Sequence, residues 1–305
     1  MRVAALDRED LEAVRPILGA AFPHDHVGHV LEEKLLGGNG SRPGATLVAW
    51  DGAEPAGVIA MAGRWIKVFA VDPARRGTGV GSRLLDLAGT WVRTRGGGGK
   101  LRMMDHPGNY LSPGLDVREV AGRAWLERHG FRVCSENLNL RVPLDGNPKV
   151  TDERAAALDE RAHRAGYQIR RVRLGERELL LRLCAEAFAP AWAFELGRAF
   201  ELDPPAVFAA YNLSASVGGA VGGGQPVAFA AHDANNSGLG WFGPAGTLTA
   251  HRGHGLGEAL LIHCLLDVRG RPDGGVIAWI GPREFYEKAA GAVEDRRFVV
   301  LEEAV

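Results

Sequence analysis

Cysteine is scarce in this 305-residue sequence: three occur, Cys134, Cys184 and Cys264, far apart and odd in number. Neither a disulfide framework nor a cysteine-based zinc site is indicated, and such usage fits a reducing cytoplasm. An excess of one charge is lacking too. Thirty-six Lys plus Arg face 37 Asp plus Glu, a formal net charge of -1, so no overall field draws the chain to a nucleic-acid backbone or an anionic membrane. Any anion bound here must be held by a local site. Long apolar runs are also missing. Nothing approaches the ~20 residues needed to span a bilayer, and the opening MRVAALDRED reaches charge before any stretch of signal length. Secretion and membrane insertion are not expected.

What is present is a chain long enough for two domains of roughly 100–200 residues each, with 46% hydrophobic residues to build their cores. Short β-like runs alternate with amphipathic stretches, which points to a mixed α/β fold. MRVAAL reads as a strand, DREDLEAVRPILGAAF and HVGHVLEEKLL as helices, and ATLVAWDG, AGVIAMAG and RWIKVFAV as an antiparallel meander. A helix through SRLLDLAGTWVRTR, the strand KLRMM and the polar insert DHPGNYLSPGL follow. Asp116 with Glu119 has the spacing of a capping box opening VREVAGRAWLERHG, and Gly130 stands where that helix should stop. The segment LDGNPKVTDERAAALDERAHRAG marks a domain junction. After it the same outline repeats, from YQIRRV to a last strand RRFVVLEEAV. The expected division is 1–145, a helical junction 146–165, and 166–305. Because the chain stops after the sixth strand of the second domain, either that sheet is short or a segment near 145–170 completes it.

Two loops carry the chemistry. Arg76-Gly77-Thr78-Gly79-Val80-Gly81 and Arg252-Gly253-His254-Gly255-Leu256-Gly257 lie 176 positions apart, and each follows a strand and opens a helix with paired leucines, Leu84-Leu85 and Leu260-Leu261. Alternate glycines let the backbone approach a ligand closely, and their N–H groups join the positive helix end to form a nest for phosphate oxygens. A Walker loop is excluded because neither copy has lysine. A dinucleotide fingerprint fits poorly: Asp72-Pro73-Ala74-Arg75-Arg76 separates strand from glycine, and the first copy has no acidic residue about 20 positions on. A helix-entry loop without a ligand would not explain two copies in matching contexts.

Both copies resemble motif A of the GNAT superfamily, the Gcn5-related N-acetyltransferases, with the pattern Arg/Gln-x-x-Gly-x-Gly/Ala. Val71-x-Pro73 fits the family's strand exit, whereas Thr247 and Thr249 depart from it. AWLERHGF and FYEKAAGA resemble motif B. The resemblance implies two tandem GNAT folds, each a mixed, mostly antiparallel sheet flanked by helices, in a layout similar to that of the mycothiol synthases. It further implies acyl-CoA as donor, acetyl-CoA first, and a small-molecule amine as acceptor that attacks the thioester directly. By carry-over, Phe69, Ala70 and Val71 bind pantetheine in the first domain, and Gly246, Thr247 and Leu248 in the second. The loops themselves, Arg76, Gly77, Thr78, Gly79, Val80, Gly81 and Ser82, and Arg252, Gly253, His254, Gly255, Leu256, Gly257 and Glu258, cradle the pyrophosphate.

A motif B tyrosine often protonates the leaving thiolate, and Tyr286 is the candidate, although Gly291 follows it by five residues where the family has four. Leu126 stands there in the first domain, so the resemblance points to the second as the catalytic one, with Tyr110 as a loop substitute in the first. Asp105, His106, His232 and Asp233 are candidates for the general base. The family's asparagine upstream of motif B is replaced by Glu119 and Trp279. His24, His26 and His29 form a cluster better suited to shaping the acceptor pocket than to holding a metal, and no metal is expected. Phe188, Trp192 and Phe194 occupy the matching stretch of the second half. A non-catalytic acyl-CoA sensor, or one catalytic domain beside a structural one, is the alternative.

Overall fold

The computed structural model describes residues 1–40, 42–95, 99–215 and 224–304. The chain packs as two compact units, the first formed by Met1–Leu138 with 296–304 and the second by Asn139–Asp295.

The first half of the chain runs β1 (Arg2–Ala5), α1 (Leu11–Ala21), α2 (Leu31–Leu35), β2 (Gly44–Asp51), β3 (Glu54–Ala62), β4 (Trp65–Val71), α3 (Val80–Thr94), β5 (Lys100–Met103), β6 (Leu115–Asp116), α4 (Val120–Arg128) and β7 (Arg132–Arg141). β1 to β4 form an antiparallel meander, and β5 joins β4 in parallel. α1 lies on β3 and β4, and α3 packs across β2 to β5. The buried residues of α3, Val80, Leu84, Leu85, Ala88, Gly89 and Val92, recur at helical spacing. Each large apolar side chain so buried contributes roughly 1.5–3 kcal/mol, which anchors the helix and the loop at its N-terminus.

The second half runs α5 (Asp152–Arg164), β8 (Tyr167–Arg171), α6 (Arg177–Ala187), α7 (Pro190–Ala199), β9 (Val207–Asn212), β10 (Gln225–His232), β11 (Phe242–Thr247), α8 (Leu256–Asp267), β12 (Val276–Ile277), α9 (Arg283–Ala290) and β13 (Val293–Ala304). β8 to β11 are antiparallel neighbours, and β12 pairs in parallel with β11. α5 packs on α8 and β8. That contact explains why α8 is apolar nearly all round, with Leu256, Ala259, Leu260, Leu261, Ile262, Cys264 and Leu265 all buried.

Three details differ from the sequence reading. The stretch RRFVVLEEAV, expected as the last strand of the second half, lies in the first unit from Arg296 on, pairing antiparallel with β5 and β6. The second unit is completed instead by Leu140 and Arg141 at the end of β7, which pair with β12. A strand's pairing partner is a long-range choice that its own residues do not encode. The capping box is absent as well. α4 begins after Glu119 without a side-chain cap, and the Asp116 carboxylate is taken up by Arg118 and Arg296. The helix expected over HVGHVLEEKLL is shortened to Leu31–Leu35, with turns before it.

Candidate active site

β4 and β5 pair at Trp65–Arg102 and Ile66–Met103, and the Met104 N–H still donates to the Ile66 carbonyl at 2.7 Å. Past that point β4 runs on alone on this side, so the backbone of Phe69, Ala70 and Val71 borders open space. Register with β3 slips between Val68–Ala60 and Ile66–Met61, which leaves Lys67 as the extra residue of a bulge. A bulge bends and twists its strand, and here it stands where β4 leaves its partner. β11 has the same device, with the slip falling at Gly243-Pro244.

The two glycine loops share one conformation. Gly77 and Gly79 have φ of +79° and +88°, Gly253 and Gly255 of +84° and +78°. Side chains resist these left-handed values. In each copy the second of these glycines caps the helix, whose first-turn N–H groups have no intrahelical acceptor. In each copy, too, an aromatic ring from the later helix covers the third glycine: Trp125 stands 3.2 Å from where a Cβ on Gly81 would be, and Phe285 3.7 Å from one on Gly257.

Beyond the loops the copies diverge. In the first unit a cavity of about 290 Å³ runs from Arg76, Gly77 and Gly81 along Phe69–Val71 and Trp125 to Met103, Met104 and Ser112. A Cβ on Gly77 or Gly79 would meet nothing within 4 Å. Ser82 faces His129, with Oγ and Nε2 3.1 Å apart, while that ring stacks on Trp125 at 3.8 Å. His24, Asp25, Asp116 and Arg296 line the cavity as well. Arg296 donates to Asp25 at 2.7 Å and to Asp116 at 2.8 Å, and Arg118 donates to both oxygens of Asp116. Burial works to raise the Asp116 pKa, yet the hydrogen bonds from Arg118 and Arg296 outweigh it and hold the group at about 2.

In the second unit the ring of Phe188 lies over Gly246, 2.5 Å from where a Cβ would stand, braced by Trp192 and Phe229. Arg252 folds back, its Nε donating to the Thr247 carbonyl at 3.2 Å. Arg161 of α5 reaches within 3.9 Å of a Cβ on Gly255, and Arg154 pairs with Glu258. His254 packs against Tyr167, whose hydroxyl meets His251 Nδ1 at 3.0 Å.

The general-base candidates lie away from the cavity, whose wall near β5 is Met103 and Met104. Asp105 is buried on Arg102 at 2.8 Å, and burial pushes its pKa up against the pull of that arginine. His106 is fully buried, edge-on to Trp65, and burial with the charges of Lys67, Arg42 and Lys34 drives its pKa down to about 3. His232 and Asp233 are buried in a bonded pair. Of the three clustered histidines, His24 is the one lining the cavity. Tyr286 packs against Phe242 and Phe285, and burial pushes its pKa up to about 12. That makes it a weaker acid than the ~8.5 of an ordinary thiol. Trp125 and Arg296 were not read from the sequence as site residues. The aromatic at the position before Leu126 was a usable signal for Trp125, but nothing in the sequence signals which unit Arg296 joins.

Residues 42–133 match the family model of the acetyltransferase (GNAT) domain. No curated protein matches the chain. Among solved structures, a GCN5-related glucosamine N-acetyltransferase region of a fungal multi-domain GH3 β-N-acetylglucosaminidase aligns with a TM-score of 0.74 at 18% identity, over 99% of this chain and 38% of that one. The chain therefore spans well under half of that fungal protein. A tandem GNAT protein from the clavulanic acid biosynthesis pathway gives 0.65 at 16% identity over 99% and 98% of the two chains. A GCN5-related N-acetyltransferase from Sphaerobacter thermophilus gives 0.64 at 18% over 99% and 95%. At these identities the likeness is one of fold. The chain thus has the tandem GNAT fold, and its residues 42–133 match the GNAT acetyltransferase domain.

Proposed function

We propose that this protein is an acyl-CoA-dependent N-acyltransferase that moves an acetyl group from acetyl-CoA to an amine of a small molecule, and that the cleft of the first unit does so. The observation that carries this reading is the contrast between the paths that lead away from the two glycine loops, open along β4 and covered along β11. Around Gly77 and Gly79 there is room for phosphate oxygens, with Arg76 and the α3 N-terminus to hold them, and a continuous cavity leads on along β4. Over Gly246 the corresponding path is covered by Phe188. The residues of the first loop thus fit a pyrophosphate, and the free edge of Phe69–Val71 fits an extended pantetheine arm that bonds to main chain. Bound acetyl-CoA supplies an activated thioester, and the protein's share is to hold it beside the amine, stabilise the developing oxyanion and dispose of protons. Three unpaired thiols support a cytoplasmic setting.

Incubation with acetyl-CoA and a pooled amine library is expected to release free thiol with at least one primary amine. Tight CoA binding without turnover on any amine would favour the sensor instead. A role for Tyr286 as proton donor is separable in the same assay. With catalysis in the first unit, Tyr286→Phe is expected to change kcat less than twofold, and a loss of 10²-fold or more would return the proton donor, and catalysis, to the second.

A further inference from the structure

One part of the wall of the first unit's cavity is built by segments that lie far apart in sequence. The loop after α1 brings His24 and Asp25, β6 brings Asp116, and β13 brings Arg296. Arg296 joins them: its Nη1 donates to the His24 carbonyl at 3.2 Å and to Asp25 Oδ1 at 2.7 Å, and its Nε to Asp116 Oδ2 at 2.8 Å. Its own place is fixed from behind, since Phe298 pairs with Asp116 in the sheet and sets its ring 5.0 Å from the guanidinium. A nearly buried arginine with two nearly buried carboxylates costs desolvation that an apolar wall would avoid. What the cluster gains here is a rigid His24 main chain at the border of the cleft.

Six charged groups line the cavity with His24: Asp25, Asp116, Glu119, Arg76, Arg128 and Arg296. Asp25 and Asp116 spend their oxygens on Arg296 and, for Asp116, on Arg118 as well. The arginines stay protonated. Glu119 is half-buried at the start of α4. His24 is an exposed residue of the same cavity wall that Phe69, Ala70 and Val71 line, its carbonyl held by Arg296.

We infer that His24 is the base that takes the proton of the acceptor's ammonium, and that Arg296 is the residue that positions it. The inference rests on the acyl-CoA reading of this cleft. His24 accepts one proton from R–NH3⁺, and the freed lone pair forms the N–C bond to the thioester carbonyl. Collapse of the tetrahedral adduct breaks the C–S bond, the second ammonium proton passes to the departing thiolate, and the imidazolium returns its proton to solvent. The sum is acyl-CoA and ammonium going to amide, CoA thiol and one H⁺.

The test uses the full-length protein, acetyl-CoA and the best amine found by thiol release. His24→Gln is expected to lower kcat/KM by roughly 10²–10³-fold and to remove the acid limb of the pH–rate profile, with CoA affinity within twofold of wild type. His163→Gln, on the exposed face of α5 in the second unit, serves as the control and should match wild type. Arg296→Ala is expected to lose a similar factor and to regain part of it with added guanidinium, and Arg296→Lys to fall between. An unchanged profile in His24→Gln, or loss of the acid limb in Glu119→Gln instead, would overturn the inference. Wild-type protein that binds no CoA at all would overturn the acyl-CoA reading and this inference with it.

Discussion

Gly79→Val is expected to weaken acetyl-CoA binding by about 100-fold or more while leaving the protein folded. The residue holds φ at +88° and stands as the cap of α3 with open space in front of it. A β-branched side chain there meets two penalties. Backbone strain in the left-handed region costs on the order of 1–3 kcal/mol, which a fold stable by about 5–15 kcal/mol survives. The larger effect is on the ligand, because the new methyls fill the space from which phosphate oxygens would reach the loop N–H groups. Losing two hydrogen bonds to a charged group, at about 1.5–3 kcal/mol each, amounts to roughly 10²–10⁴ in affinity. Gly255→Val places the same strain in the same conformation, φ +78°, in the second unit. Calorimetric titration with CoA and the thiol-release rate should separate the two variants, with the Gly255 protein keeping both. If instead Gly255→Val abolishes turnover and Gly79→Val does not, catalysis belongs to the second unit.

Replacing His232 is expected to produce the largest change in stability. Its ring is nearly buried between two carboxylates, Nδ1 3.0 Å from Asp233 and Nε2 2.9 Å from Asp267, which Arg171 also binds. Asp233 in turn accepts from the Gly240 N–H at 2.7 Å. With both nitrogens aimed at acceptors, the ring is satisfied when protonated. Burial alone would lower its pKa, but the bonds to Asp233 and Asp267 outweigh burial and raise it, while Asp267 is held at about 2. The sign follows from linkage. A raised histidine contributes stability that is complete below its unfolded pKa of ~6.5 and is lost as pH climbs through the folded value. The lowered carboxylates contribute above ~3.9 and lose it on acidification toward 2. The second unit should therefore be most stable between these limits and soften as pH rises above ~6.5. His232→Gln, which leaves one buried carboxylate short of a donor, should cost about 3–5 kcal/mol and flatten that decline. Calorimetry of both proteins across this range checks it, and parallel pH slopes would rule the network out as the cause.

Much of the element order was legible in the sequence because its signals are local. The meander β2 to β4 came from apolar runs divided by Asp51-Gly52 and Glu54-Pro55, and Gly130, at φ +91°, ends α4 where a left-handed residue was needed. The two loops were legible for the same reason, since alternate glycines at a strand-to-helix junction specify a backbone shape by themselves. The Asp116–Glu119 spacing misled because a capping box competes with any cation nearby, and Arg296, 180 residues away, took the carboxylate.

The glycine pattern, the scarcity of cysteine and the balance of charge by themselves determined that any anion bound must be held by a local site and that the loop occurs twice. Which loop has an open path beside it was decided only by tertiary structure. Ala70 and Gly246 are equivalent by spacing, yet one lines a cavity and the other lies beneath Phe188. Tertiary packing also decided that Arg296, near the end of the chain, stands beside His24, near its beginning. The physical reason is common to both: a loop's conformation depends on its own φ angles, whereas space and charge beside it depend on side chains delivered by elements remote in sequence.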